Sequence, residues 1–180
     1  MLLNRRNCLD KGYVALISSS NGGVTLGNIS LDMLRGVPVE ELVHLASATM
    51  AIKCPLFVQL SLSKFGFDII NMPVDAVEAF IPDLTDIDSG DMEIDKEIAA
   101  DLTRTTHALL INPIAYQKDG CDPFVSQVVT PISVYNELIV HGSLERWMKF
   151  LKSKDIPFVA KDYWNAVHEI LTNEWKNIKF

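Results

Sequence analysis

The fold is set by residues 133–151, which read SVYNELIVHGSLERWMKFL. In the first half of this stretch, apolar and polar side chains alternate with the two-residue period of a strand, and the apolar positions are Val134, Leu138 and Val140. We expect Gly142 to end the strand and Ser143 to cap a short helix. The apolar side of that helix carries Leu144, Trp147, Met148 and Leu151. A strand that leads directly into a helix predicts an α/β domain.

Two further helices are predicted from apolar spacing. The first repeats apolar or small residues four, four, three and four positions apart, at Ile94, Ile98, Leu102, Thr105 and Leu109. Asp91 or Ser89 can cap its beginning, and Asn112-Pro113 is the expected stop. The second begins at Asp162, and its apolar residues are Trp164, Val167, Ile170, Leu171 and Trp175. Both patterns are typical of amphipathic helices.

The N-terminal part gives a weaker pattern. Residues 13–18 and 24–26 are predicted to be short strands, joined by a turn at Asn21-Gly22-Gly23. Pro38, which is followed by two glutamates, is typical of a first helical turn. Residues 45–52 fit either a helix, because of their alanines, or a strand, because of their length.

Composition excludes several classes of protein. The chain has 180 residues, 48% of them hydrophobic and 22% charged, which predicts a single folded domain over residues 1–180. No apolar stretch is long enough to cross a bilayer. The net charge of −7 argues against general nucleic-acid binding but leaves a local pocket for an anion open. Without a secretory signal pattern, we expect a cytoplasmic, intracellular protein.

The residues that usually bind metals are scattered. The three cysteines, Cys8, Cys54 and Cys121, lack the C-x-x-C spacing of a zinc site, and their odd number suits reduced thiols. The four histidines form no pair four residues apart. We therefore predict no metal site.

Charge is distributed unevenly along the chain. Residues 75–101 contain ten Asp or Glu against the single Lys96, which is an acidic surface segment. The opposite charge clusters around the end of the short helix at Arg146, Lys149, Lys152 and Lys154. Cations there complement the carboxyl end of a helix, so a ligand is not needed to explain them.

Four segments, taken in order, resemble the flavin-dependent thymidylate synthases of the ThyX type. They are LDKGYVAL at 9–16, KCPLFV at 53–58, VVTPISVY at 128–135 and SLERWMKFL at 143–151. The resemblance implies a ThyX-like α/β (α+β) fold with a mixed or antiparallel sheet packed against helices. It also implies a homo-oligomer, usually a tetramer with shared active sites, that binds FAD and dUMP.

The family's signature is absent from this chain. That signature is Arg-His-Arg, then seven residues, then Ser-x-Arg. Counting without gaps from KCPLFV, the three basic positions fall on Lys64, Phe65 and Gly66, and the serine and its arginine fall on Val74 and Ala76. The flavin phosphates would lose a guanidinium fork and an imidazole, and dUMP would lose a hydroxyl and a bidentate phosphate partner.

Family positions further along the chain have also changed. Gln127 and Lys154 stand where the family has arginine, Ser143 where it has asparagine, and Phe158 where it has histidine. The resemblance therefore leaves Lys64, Gln127, Ser143 and Lys154 as candidates for a ligand pocket. No catalytic residue can be assigned, and FAD is expected only if the family site survives.

Three hypotheses follow from a retained framework with a lost signature. The first is a divergent ThyX-like protein with a degenerate active site, which no longer methylates dUMP in the classical way but binds a nucleotide or another anion. The second is an active flavin-dependent enzyme of pyrimidine metabolism with a rearranged site. The third is a non-catalytic subunit of a hetero-oligomer, with residues 75–101 as its candidate surface.

Overall fold

The computed structural model describes residues 3–21, 46–73, 77–87, 89–122, 125, 127–154 and 160–175. Its strands are β1 (Leu3–Cys8), β2 (Gly12–Asn21), β3 (Ala46–Pro55), β4 (Asp68–Met72) and β5 (Tyr135–Ser143). Its helices are α1 (Leu56–Ser63), α2 (Met92–Lys118), α3 (Leu144–Lys152) and α4 (Lys161–Glu174), with a 3₁₀ turn at Gln127–Val129. The turn at Asn21-Gly22-Gly23, the strand at 24–26 and the helix at Pro38 lie wholly or mostly outside these residues.

The five strands form one sheet in the order β1-β2-β3-β5-β4, and every neighbouring pair is antiparallel. The prediction of an α/β fold with an antiparallel sheet is therefore confirmed. The predicted strand at 13–18 lies within β2. Most of the ambiguous segment 45–52 is strand: side chains along β3 alternate between buried and half-buried, as expected when one face of a sheet is covered.

The hydrophobic core lies on one face of the sheet. The helices α1, α3 and α4 cover this face, and its fully buried side chains include Val14, Met50, Ile52, Leu138, Val140, Leu144, Trp147, Val167, Ile170 and Leu171. The indole Nε1 of Trp147 donates to the backbone oxygen of Ala48 at 3.3 Å. The predicted strand-to-helix unit at 133–151 thus supplies much of the core.

Gly142 does not end its strand, as the sequence led us to expect, because β5 continues through Ser143. The reason for a glycine here is close packing. A Cβ atom at position 142 would lie 2.5 Å from the ring of Phe67, and that ring lies 4.2 Å, centroid to centroid, from the indole of Trp147. Any side chain at this position would push Phe67 away from α3.

Helix α2 confirms one prediction and corrects another. Asp91 is its N-cap, with a carboxylate that accepts the backbone N–H of Glu93 at 2.9 Å. The predicted stop at Asn112-Pro113 is wrong, because the helix continues to Lys118. Proline removes one backbone donor, and the rest of the helix tolerates that loss.

The two C-terminal helices agree with prediction. Ser143 caps α3, since its hydroxyl oxygen accepts the N–H of Arg146 at 3.4 Å. Helix α4 begins at Lys161, one residue before the predicted Asp162. No helix in the described ranges is long and apolar enough to span a membrane.

Candidate functional site

The four predicted pocket residues occupy different places around α3 and α2. Lys64 lies in the turn after α1 and is exposed, and Ser143 is the N-cap of α3. Lys154 is exposed and lies two residues beyond the last residue of α3. Gln127 begins the 3₁₀ turn beside α2, and its side chain lies outside the described part of the structure.

A row of polar side chains crosses the sheet near Ser143. His141 has Thr49 of β3 as its register partner on one side and Asp68 of β4 on the other. Its Nδ1 lies 2.9 Å from the hydroxyl of Thr49. Arg146 of α3 forms an ion pair with Asp68 at 3.6 Å. We call Thr49, Asp68, His141, Ser143 and Arg146 the β5–α3 junction.

The turn that carries Lys64 is attached to α3 by aromatic packing. The ring of Phe65 lies edge-on to that of Phe150, with centroids 5.3 Å apart, and Phe67 packs on Trp147 at 4.2 Å. The segment from 65 to 67 therefore runs along α3 from its second half towards its first turn. Lys64, which precedes it, lies beside the second half of α3.

The geometry of α3 separates Ser143 from Lys154. The helix has nine residues, and at 1.5 Å per residue it is about 13 Å long. Ser143 lies at its beginning, Lys154 lies past its end, and Lys64 lies alongside. These three predicted residues thus follow the length of α3 and do not converge on one point.

Two of the cations on α3 have anionic neighbours. Arg146 pairs with Asp68, and Lys149 pairs with Glu145 at 2.6 Å. Ser143 Oγ is an acceptor for Arg146 N–H, which leaves the Ser143 hydroxyl proton available as a donor. Exposed cations together with a hydroxyl donor can bind an anion, and water weakens each contact.

The opposite end of the sheet holds a polar network that sequence reasoning missed. Tyr135 donates its hydroxyl proton to Asp10 at 2.5 Å, and Tyr163 donates to the backbone oxygen of Lys53 at 3.0 Å. The ammonium of Lys53 pairs with Glu78 at 2.5 Å. No sequence pattern shows this network, since Asp10 and Tyr135 are 125 residues apart.

The ionisation of these groups fits a structural role for the network. Burial is the main cause that raises the pKa values of Tyr135 and Tyr163, so both stay protonated donors. The hydrogen bond from Lys53 is the main cause that lowers the pKa of Glu78. Burial also raises the pKa of the Cys8 thiol to about 12, which makes it a poor nucleophile. Burial holds Tyr135, Tyr163 and Cys8 in their protonated states, and Lys53 holds Glu78 in its ionised state.

Comparison with known proteins gives similarity at the level of structure. No protein-family model matches the sequence, and no curated protein matches it. Among the solved structures that match is the UMP/dUMP methylase PolB from Streptomyces cacaoi, bound with 5-Br UMP. The identity is 15%, the TM-score is 0.65, and the match covers 92% of this chain and 89% of that chain. The match supports a ThyX-like fold for this chain and does not establish family membership.

The turn at 64–66 contains the three residues that counting along the sequence matched to the basic signature positions. Phe65 packs its ring on Phe150, and its side chain has no hydrogen-bond donor. Gly66 has φ of +70°, a conformation that favours glycine. Only Lys64 offers a charge. In the described residues, this turn does not fit the phosphates of FAD as a fork of guanidinium donors would.

Four further positions that counting matched to the family lie outside the described residues, either wholly or in their side chains. Val74, Ala76 and Phe158 lie outside the described residues, as does the side chain of Gln127. The row formed by Thr49, His141 and Asp68 was also not predicted from the sequence. The strand period places alternate residues on one face, but only the register of three strands brings these three side chains together.

Proposed function

We propose that this protein is a divergent ThyX-like protein that retains the scaffold, has lost classical flavin-dependent dUMP methylation, and binds a nucleotide or another anion along α3. The single observation that carries the proposal is a fold shared with a UMP/dUMP methylase over 92% of the chain, combined with the Lys64-Phe65-Gly66 turn. The scaffold is similar, and the basic signature is replaced by packing and turn residues.

The replaced turn supports the loss of flavin binding on physical grounds. A guanidinium and an imidazole bind phosphate oxygens through directed, charge-assisted hydrogen bonds. Phe65 contributes hydrophobic packing on α3 in their place, and Gly66 has no side chain. A diphosphate cofactor placed here would lose its water without gaining these partners, which is unfavourable.

Anion binding is supported by the cations that remain. Lys64 and Lys154 are exposed, and Arg146 lies on the first turn of α3 next to the Ser143 hydroxyl. We expect an anion such as the phosphate of dUMP to bind between Lys64 and Ser143, or between Lys64 and Lys154. Gln127 is a further candidate.

The first test is the visible absorption spectrum of the purified protein, followed by thermal-shift titration with FAD, dUMP and inorganic phosphate. We expect a colourless protein that ignores FAD, because the turn at 64–66 offers it no fork of donors. We expect dUMP or phosphate to raise the melting temperature, because a ligand that binds the folded state stabilises it. A yellow protein would show that flavin binding is retained, and rescue of a thymidine-requiring host would show that methylation is retained.

A matched pair of variants tests the anion site. Lys64→Gln should reduce the shift caused by dUMP or phosphate. Lys118→Gln removes an equivalent cation from the last turn of α2 and should leave the shift unchanged. Equal shifts in both variants, or no shift in the unmodified protein, would contradict anion binding at Lys64.

The second candidate function is an active flavin-dependent enzyme with a rearranged site. The observation that favours it is the shared fold with a protein that methylates UMP and dUMP. It predicts bound flavin and NADPH oxidation that dUMP stimulates.

The third candidate function is a non-catalytic subunit with the acidic segment 75–101 as its surface, which predicts co-purification with a synthase from the native source. We also retain the prediction of a homo-oligomer and an intracellular location.

A further inference from the structure

Helix α2 lies outside the hydrophobic core. The core cluster of the described residues contains no side chain from this helix, and the element that it contacts most is the three-residue 3₁₀ turn at Gln127–Val129. The buried and half-buried residues of α2 are mostly small or polar: Asp95, Ala99, Thr103, Thr106, Leu109, Leu110, Asn112 and Pro113. A helix of 27 residues is normally stabilised by packing its apolar face, and this helix packs another face.

One face of α2 carries apolar side chains that are exposed in the first half of the helix and again at Tyr116. We call this face the α2 stripe, and it consists of Ile94, Ile98, Leu102, Thr105, Leu109, Asn112 and Tyr116, of which Leu109 and Asn112 are half-buried. The exposed fractions of Ile94, Ile98 and Leu102 are 47%, 37% and 38%. From Ile98 onward its members alternate four and three residues apart, which is the spacing of a seam between two long helices. The spacing indicates a helical partner.

The charges of α2 are separated along its length. Residues 92–101 contain four acids and one lysine, a net charge of −3. Residues 102–118 contain Arg104 and Lys118 and no acid, a net charge of +2 with His107 neutral. A parallel pair of such helices would place like charges together. An antiparallel pair places the acidic part of each helix against the basic part of the other and also opposes the helix dipoles.

From this geometry we propose that the α2 stripe is an interaction surface for a second copy of this chain, with the two α2 helices packed antiparallel. The second copy fits because it offers a helix of equal length, the same seam spacing and the complementary order of charges. The proposal does not depend on the ligand of the α3 region, so either can fail while the other holds.

A groove on α2 agrees with this choice of partner. It has a volume of about 410 Å³ and is lined by Glu97, Ile98, Asp101 and Leu102. Two apolar side chains beside two carboxylates suit a segment that combines apolar residues with cations. Residues 102–118 of a second copy have this composition.

The first experiment measures the mass of the full chain in solution by sedimentation equilibrium. We expect the unmodified protein to be at least a dimer. Ile98→Asp, which places a charge in the stripe, should shift it towards the monomer. Ile111→Asp is the matched control, because Ile111 is 63% exposed on the same helix and lies outside the stripe. A monomeric unmodified protein, or an Ile98→Asp variant that stays folded and associated, would overturn the proposal.

The second experiment tests orientation and does not depend on how Ile98→Asp folds. A spin label at Met92→Cys, in a Cys121→Ser background, marks the first residue of α2, and Met92 is 63% exposed. In an antiparallel pair centred on the stripe, the two labelled positions lie about 40 Å apart at 1.5 Å of rise per residue. In a parallel pair they lie about one interhelical distance apart, roughly 10 Å. A distance near 40 Å supports the proposal, and a short distance or no signal between copies overturns it.

Discussion

Helices α4 and α2 have similar sequence patterns and different surroundings. Both were predicted from apolar residues at helical spacing. In α4 the side chains of Val167, Ile170 and Leu171 are fully buried, whereas in α2 Ile98 and Leu102 are 37% and 38% exposed. The difference teaches that periodicity indicates a helix with one apolar face and does not say what covers that face. For α4 it is the sheet, and for α2 we propose a second copy.

The largest expected effect comes from shortening one isoleucine in each helix. Ile170→Ala should lower the free energy of unfolding by about 2–5 kcal/mol, because it leaves a cavity in a core that cannot fully collapse. Ile98→Ala should lower it by about 0.5 kcal/mol in the dissociated chain, as expected for a surface position. Urea denaturation at low protein concentration measures both values.

The dependence of stability on protein concentration should also distinguish the two helices. The melting temperature of the unmodified chain should rise with concentration, because association stabilises the folded state. That dependence should persist in Ile170→Ala, at a lower temperature, and weaken in Ile98→Ala. If Ile98→Ala destabilised the dilute chain as much as Ile170→Ala, α2 would be packed within its own chain and the contrast between the helices would be wrong.

Removing one hydroxyl group from each of the two helices should have a smaller effect on the free energy of unfolding. The Tyr163 hydroxyl of α4 donates to Lys53 O at 3.0 Å, a contact between distant parts of the chain. The Thr103 hydroxyl of α2 donates to Ala99 O within its own helix. Tyr163→Phe should lower the free energy of unfolding by about 1 kcal/mol, and Thr103→Val by less than about 0.5 kcal/mol.

Tyr163→Phe and Thr103→Val both nearly preserve the volume of the side chain, so each isolates the effect of a hydroxyl group. Urea denaturation of variants that retain native circular dichroism should show a larger loss of unfolding free energy for Tyr163→Phe than for Thr103→Val. An equal loss in the two variants would mean that α2 is coupled to the body of the protein as strongly as α4 is.

Removal of the α2 cap should act locally. Asp91→Ala removes the acceptor of the Glu93 N–H and should cost about 0.5–1 kcal/mol of helix stability. Because α2 lies outside the core, we expect faster hydrogen exchange in its first turn and little change in α4. Asp91→Asn keeps a capping oxygen and serves as the control. Faster exchange in both helices would indicate that α2 unfolds together with the core.

Much of the fold could be predicted from local sequence. Alternation predicted the strand β5 and capping predicted the start of α3, because both depend on neighbouring residues. Gly142 was misinterpreted as a strand end, since its requirement arises from Phe67, which is distant in sequence. The stop at Pro113 was wrong because a proline weakens a helix without always ending it. Of these two errors, the one at Gly142 arose because a tertiary contact decides the outcome.

The candidate site was harder to predict than the fold. The family resemblance identified Lys64, Ser143 and Lys154 as candidates, but only the structure shows that they are spread along α3. The packing of Phe65 on Phe150 could likewise not be predicted from the sequence, where counting only matched Phe65 to a position at which the family signature has histidine. The row formed by His141 and its two neighbours depends on strand register, which a single sequence does not fix.

The smallest expected effect concerns ion pairs and pH. Arg6 of β1 pairs with Glu169 of α4 at 2.7 Å, whereas on α2 Lys96 pairs with Glu93 within the same helix. The hydrogen bond from Arg6 is the main cause that lowers the pKa of Glu169 from its ordinary value of 4.5. The folded state therefore binds this proton less readily than the unfolded chain. The stabilisation is present above pH 4.5 and is lost as the pH falls below that value.

Urea midpoints measured across this pH range should fall slightly more steeply for the unmodified protein than for Glu169→Gln, which has no carboxylate to protonate. The difference should be small, because both side chains are exposed and screened by water. Arg6→Gln should flatten the curve to the same extent, and the double variant no further, because the two residues form one interaction. A Glu169→Gln curve parallel to the unmodified one would show that the pair does not couple α4 to the sheet. The attachment of α4 would then rest on its apolar face and on hydrogen bonds such as that from Tyr163 to Lys53 O, whereas α2 contributes no side chain to the core of the described residues.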